Sequence, residues 1–177
     1  HTEIVKAALN GNRKAELQLY QLYVKAMFNS ALRLLNNHQD AEDVLQETFV
    51  TAFNRIDTYR FDSTFGSWLK RIVINKGINF LNQRKLEVAY EDVHDCDISI
   101  AEESDYEKEV KYSVECIRNA MIELADGYRV ILSLYLFEGY DHMEIAGILD
   151  ISTSTSKSQY HRAKKKLKTI LLSNYET

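Results

Sequence analysis

The sequence predicts an all-α protein of two small helical domains, and three observations carry that prediction. The 177 residues contain no proline and only six glycines, so little in the chain stops a helix. Apolar residues recur at three- and four-residue spacing on either side of residues 86–109. That intervening segment has no sustained period and carries ten acids against Lys108 alone. With 45% hydrophobic and 27% charged residues, the chain as a whole is not disordered.

The first domain, 1–85, reads as consecutive helices. Ala15, Leu19, Leu22, Tyr23, Ala26, Met27 and Ser30 form one helical face. Ala41, Val44, Leu45, Thr48, Phe49, Ala52, Phe53 and Ile56 form a second, with Asp40 placed to cap it and Glu42 and Asp43 in its first turn. Residues 57–66 break the period and predict a loop. Trp68, Leu69, Ile72, Val73, Lys76, Phe80 and Leu81 resume a helix. Residues 86–109 predict a solvated linker, and 110–177 a second domain. There Val114, Ile117, Met121 and Leu124 line one helix, Gly127 marks a junction, and an apolar helix runs from Tyr128 to Phe137 until Glu138-Gly139 ends it.

Several function classes drop out on composition. The longest apolar stretch, Val130 to Phe137, is far short of the about 20 residues a membrane span needs, so no direct insertion is expected. No secretory signal opens the sequence. Cys96 and Cys116 make neither a disulfide framework nor a metal cluster, and read as free thiols in a reducing cytoplasm. There is no Gly-rich phosphate loop, no paired metal spacing and no nucleophile beside a base. Neither an enzyme, a cofactor nor a metal is expected.

Charge is segregated despite a net −4. Residues 68–85 hold Lys70, Arg71, Lys76, Arg84 and Lys85 with no acid, and 157–168 hold Lys157, Arg162, Lys164, Lys165, Lys166 and Lys168 with none. Two basic helical segments across an acidic linker predict two polyanion-binding surfaces.

The second basic run belongs to a helix-turn-helix. Asp141 to Leu149 is a short amphipathic helix with Ile145, Ile148 and Leu149 inward. Asp150-Ile151-Ser152 makes the turn: Asp tolerates left-handed backbone and Ser152 caps the second helix. That helix opens on Thr153, Ser154, Thr155, Ser156 and Ser158, poor helix formers but good hydrogen-bonding groups, as suits a helix start entering a major groove. Lys157, Ser158, His161 and Arg162 then lie opposite Ala163 and Leu167. A helical hairpin with a basic solvated face is the competing reading. In the first domain Asp43, Gln46, Glu47 and Val50 lie away from the apolar stripe. Solvent exposure and a docking surface for a basic partner explain them equally.

Asp40-Ala41-Glu42-Asp43-Val44-Leu45-Gln46-Glu47-Thr48-Phe49, and then Phe65-Gly66-Ser67-Trp68-Leu69-Lys70-Arg71-Ile72 with Asn75, closely resemble region 2 of the extracytoplasmic-function (ECF) sigma factors of bacterial RNA polymerase. Gly127-Tyr128-Arg129, Glu138-Gly139-Tyr140, Glu144-Ile145-Ala146 and Thr155-Ser156-Lys157-Ser158-Gln159 resemble their region 4. The resemblance implies a promoter-specificity subunit that binds core RNA polymerase through the β′ clamp helices and β flap, reads −10 and −35 elements, and promotes melting. It also implies an anti-sigma factor as a frequent antagonist.

Residue by residue, Asp43, Gln46, Glu47, Phe49 and Phe53 match positions that dock on the clamp helices, with core packing a competing role for Phe53. The loop Arg60, Phe61, Asp62, Ser63, Thr64 and Phe65 matches the segment that captures an unstacked −10 base. Trp68 matches a tryptophan read chiefly as a core anchor. Arg71, Asn75, Lys76 and Asn79 match the helix bordering the melted strand. Thr155, Lys157, Ser158, His161 and Arg162 match the −35 reader. Many relatives carry proline where Ala125 stands, and glycine where Ser154 and Asp150 stand. The alternative function is a polymerase-independent helix-turn-helix regulator, which leaves the docking helix and the Trp68 loop without a task.

Overall fold

Helix α1 (Thr2–Leu9) turns through Gly11, at φ 78°, into α2 (Arg13–Leu35). The computed structural model from which these elements are read describes residues 1–89 and 113–175, so the acidic segment beyond Ala89, with Cys96, lies outside the described residues. Asn12 caps α2 by accepting from the amides of Lys14 (3.0 Å) and Ala15 (3.3 Å). The buried face is Ala15, Leu19, Met27, Ser30, Ala31, Leu34 and Leu35. Leu22 and Ala26, expected on it, are exposed. Each lies one residue, about 100° of helix, off the Leu19–Tyr23–Met27 line that touches the neighbouring helices.

Asn36 ends α2 in the left-handed conformation (φ 53°), and Asn37 at once begins α3 (His38–Asn54). The cap of α3 is therefore Asn37 and not Asp40: its side chain accepts from the amides of Gln39 (2.9 Å) and Asp40 (3.1 Å). Asp40 sits one turn later and pairs with Arg84 at 3.5 Å. After a single 3-10 turn (Ile56–Thr58), α4 runs over Phe65–Ala89, four residues past the expected boundary. It buries Leu69, Val73 and Leu81 as the pattern predicts, and also Ile74 and Ile78, because it packs against both α2 and α3. Gly66 fits that packing closely: a Cβ there would lie 2.9 Å from Tyr23 Cε1, so the ring would have to shift.

The second unit comprises α5 (Val114–Glu123), α6 (Asp126–Leu132), α7 (His142–Leu149) and α8 (Thr153–Tyr175). Gly127 lies inside α6 rather than at a junction; extended backbone at Leu124 and Ala125 makes the break. The apolar helix expected to reach Phe137 ends at Leu132 and widens into a π-turn over Ser133–Phe137, closed by a Glu138 amide bond to the Ser133 carbonyl (3.1 Å). Gly139, at φ 79°, then stops the chain. Ile131, Leu132, Leu134, Ile145 and Ala163 fill this core, as Leu19, Leu34, Leu69 and Val73 fill the first. Each large side chain so buried contributes about 1.5–3 kcal/mol.

The two units meet where α2 ends against α6. The last carbonyls of an α-helix have no partner within it. Here Arg129 Nε donates to the Leu34 carbonyl (3.3 Å) and the Ser133 hydroxyl to that of Arg33 (3.5 Å), while Asn36 Nδ2 donates back to Ile122 O (3.2 Å). Arg129, only 5% exposed, also donates to Leu124 O (2.8 Å) and pairs with Asp126. No described helix is long and apolar enough to cross a membrane.

Candidate polymerase and nucleic-acid interface

On α3, the helical period that buries Ala41, Val44, Leu45 and Thr48 turns Asp43, Gln46, Glu47 and Val50 outward, and Val50 is 62% exposed. Phe49 does not share that face. It is 4% exposed, edge-on to Tyr20 at 4.8 Å and 5.8 Å from half-buried Phe53, so it supports the surface from beneath. An apolar centre ringed by carboxylate and amide acceptors suits a partner helix carrying basic residues. Glu47 Oε2 accepts from Lys76 Nζ at 3.2 Å, which ties this face to α4.

The loop before α4 is built around Tyr59. Its ring, nearly buried, lies 4.6 Å from Phe61, 5.6 Å from Phe65 and 5.5 Å from Trp68, and its hydroxyl donates to Ser63 O at 2.6 Å. Phe61 is 44% exposed and adopts φ 61°, a conformation that a bulky residue keeps only when its surroundings enforce it. Arg60, Asp62, Ser63 and Thr64 are exposed around it, and the Thr64 hydroxyl caps α4 by accepting from the Ser67 amide (3.1 Å). Trp68 is partly buried within the aromatic cluster, as expected of an anchor. An exposed aromatic ring on an aromatic platform can stack on a base that leaves its helix. Arg71, Asn75 and Asn79 follow along the exposed side of α4, with Lys76 half-buried beside Glu47. Tyr59 went unnoticed in the sequence, although the aromatic density of residues 59, 61, 65 and 68 marks it.

In the second unit Asp141 and Glu144 form a capping box at the start of α7. Asp150 makes the turn at φ 55°, and Ser152 accepts from the Thr155 amide at 3.0 Å. These are the roles the sequence assigns to both residues. Ala163 and Ser156 face inward, fully buried, and leave Lys157, Ser158, His161 and Arg162 exposed on one face of α8. Ser156 thus leaves the predicted row of outward hydroxyls; its Oγ lies 3.0 Å from His142 Nδ1. His142 stacks on Tyr135 at 4.8 Å, and Tyr160 packs on Tyr135 at 4.5 Å. Thr155 is half-buried, and with Gln159 it lines a cavity of about 230 Å³ whose other side is Ile78, Leu81 and Asn82 of α4.

Sequence reasoning took Glu138 as a helix stop and as part of the Glu138-Gly139-Tyr140 resemblance, and missed its burial between two cations. Its side chain is 0% exposed. Arg33 donates to Oε1 at 2.6 and 3.3 Å, and Lys70 Nζ lies 2.9 Å from Oε2 as an ion pair, though not aligned as a hydrogen bond. Burial pushes the carboxyl up, but Arg33 and Lys70 outweigh it and hold it below the usual carboxylate range. Burial likewise raises the nearby Tyr140 hydroxyl, on which Glu138 and Arg71 act in opposite senses.

The sequence description of Sigma-70 region 2 matches residues 19–87, and that of Sigma-70 region 4 matches 114–167. SigM, an ECF RNA polymerase sigma factor of Bacillus subtilis (strain 168), is 30% identical over 155 residues, covering 86% of this chain and 93% of its own. SigW of the same organism is 27% identical over 173 residues, 93% of this chain and 92% of its own. Among solved structures, the sigma factor RpoE in complex with the anti-sigma factor NepR from Bartonella quintana shares the fold at a TM-score of 0.59 and 24% identity, covering 87% of this chain and 94% of that one. These matches, on a pair of helical units, define a class: transcription initiation factors that confer promoter recognition. This chain belongs to the ECF RNA polymerase sigma factors.

Proposed function

We propose that this sigma factor docks on the β′ clamp helices through Asp43, Gln46, Glu47 and Val50, with Phe49 and Phe53 as the packed base of that surface. The loop Arg60–Thr64 then captures an unstacked −10 base on the Tyr59–Phe61–Trp68 platform, while Arg71, Asn75, Lys76 and Asn79 line the melted strand. Lys157, Ser158, His161 and Arg162 read the −35 duplex in the major groove, and α8 presents Thr155 at the edge of that contact. The protein acts without covalent chemistry, in the cytoplasm where polymerase works, and an anti-sigma factor is a further partner.

The observation that carries this reading is the coexistence in one chain of an outward acceptor face on α3 and an outward basic face on α8. A polymerase-independent regulator has use for the second alone. In vitro transcription from genomic fragments, with core polymerase plus and minus this protein, tests the proposal. Promoter-specific transcripts that appear only with the protein support it. Site-specific DNA binding without any core-dependent transcript overturns it.

A further inference from the structure

We propose that Gln83 reads a base pair of closed duplex beside the −10 element, on its −35 side, and that Arg84, tied to Asp40, anchors the adjoining phosphate. The inference rests on the sigma-factor reading above and adds a contact beyond Asn79. Asn75, Asn79 and Gln83 stand at four-residue intervals on α4 and are all exposed. Successive members of such a row lie about 6 Å apart along the helix and about 40° apart around it. Their side-chain amides make no hydrogen bond among the described residues, whereas those of Asn12, Asn36 and Asn37 are each engaged at helix ends. Asparagine is a poor helix former, so two of them on the open side of a 25-residue helix cost stability that no packing returns.

The loop Arg60–Thr64, which takes the unstacked base, directly precedes α4. Each turn towards the C-terminal end of α4 therefore lies further from melted DNA. The −35 element is read as duplex, so closed base pairs resume on that side. A step of about 6 Å spans roughly two base pairs at 3.4 Å each, which sets Gln83 about two pairs beyond the one that Asn79 faces. The Gln83 amide can donate to adenine N7 and accept from adenine N6 in the major groove. Beside it, Arg84 Nη1 lies 3.5 Å from Asp40 Oδ2, and with Asn37 and Phe80 these side chains line a cleft of about 350 Å³. The pair neutralises a carboxylate that would repel a phosphate there, and leaves the guanidinium, 56% exposed, open to one.

The test is in vitro transcription with core polymerase from promoters randomised over the base pairs adjoining the −10 element on its −35 side. Wild type is compared with Gln83→Ala and Gln83→Glu, both on an exposed residue near a helix end. Wild type is expected to favour A·T or T·A at one such position by about fivefold or more. Gln83→Ala should level that position and keep the preferences within the −10 element. Gln83→Glu should move the preference to cytosine, whose N4 donates to a carboxylate. Arg84→Ala should lower output from all members alike and reduce the salt dependence. A wild-type profile that is flat at these positions, or a preference that survives Gln83→Ala, overturns the contact while leaving the sigma-factor reading in place. If no member gives a promoter-specific transcript with the wild-type protein, the sigma-factor reading falls and the contact falls with it.

Discussion

Lys76 reaches from α4 to Glu47 on α3 at 3.2 Å, joining the exposed side of one helix to the outward acceptor face of the other. Glu47 is largely exposed, so the pair adds little to stability, at most about 1 kcal/mol. Its interest is positional, because it ties the outward acceptor face of α3 to the exposed side of α4.

Gln46→Ala combined with Glu47→Ala is expected to weaken core-polymerase binding while leaving the fold intact. Both side chains are exposed and no cavity results. Affinity by fluorescence anisotropy and thermal melting in parallel decide the matter; unchanged affinity removes these residues from the docking face.

Phe61 gives a prediction with opposite signs for stability and function. Phe61→Gly relieves the left-handed backbone strain at φ 61° but removes the exposed ring. The variant should be no less stable than wild type, and should form open complexes at least several-fold more slowly, followed with a base-analogue probe in the −10 element. Equal melting rates would mean the ring is a structural lid over Tyr59 and nothing more.

On α8, Lys157→Ala and Arg162→Ala are expected to cost discrimination between −35 sequences, at about 1–3 kcal/mol for a base-edge contact. Lys166→Ala, on a more distant turn, should weaken all sequences alike and lower the salt dependence of binding. Competition titrations against random duplex separate the two patterns.

Ala125 offers a stability test. Its φ of −56° suits proline, and Leu124 before it is already extended (ψ 141°), as a residue preceding proline must be. Ala125→Pro should therefore stabilise by about 0.4–1 kcal/mol through the unfolded chain, raising Tm by roughly 1–4 °C. A fall in Tm would show that the Ala125 amide has a partner it needs.

The helical course of the chain was legible because each long helix keeps a period and each turn carries its own chemistry, as Asp150 and Ser152 do. The exposed basic face of α8 was legible for the same reason: burial of Ala163 dictates that Lys157 and His161 point away. What failed was local competition between near-equal signals. Asp40 and Asn37 are both good caps, and only the tight Asn36 turn decides between them. Leu22 is as apolar as Leu19, yet one step round the helix from its neighbours. The burial of Arg129 and Glu138 escaped notice because a charged residue in sequence reads as exposed, whereas their partners, the carbonyls of α2 and the side chains of Arg33 and Lys70, come from about a hundred or fewer positions away in the chain. Periodicity describes one helix at a time and carries no information about which helix ends will meet.

The π-turn at Ser133–Phe137 acts as an inserted residue. An α-helix advances about 100° per residue, so one residue more in a turn rotates everything after it by that angle. Had the helix from Asp126 continued without the wider turn, Glu138 would leave it on a different bearing and miss the gap between Arg33 and Lys70. The aim of the carboxylate is thus held in the length of the chain and not only in its chemistry. Deleting a single residue between Ser133 and Phe137, every side chain at the seam left unaltered, would dial Glu138 out of alignment as surely as replacing it.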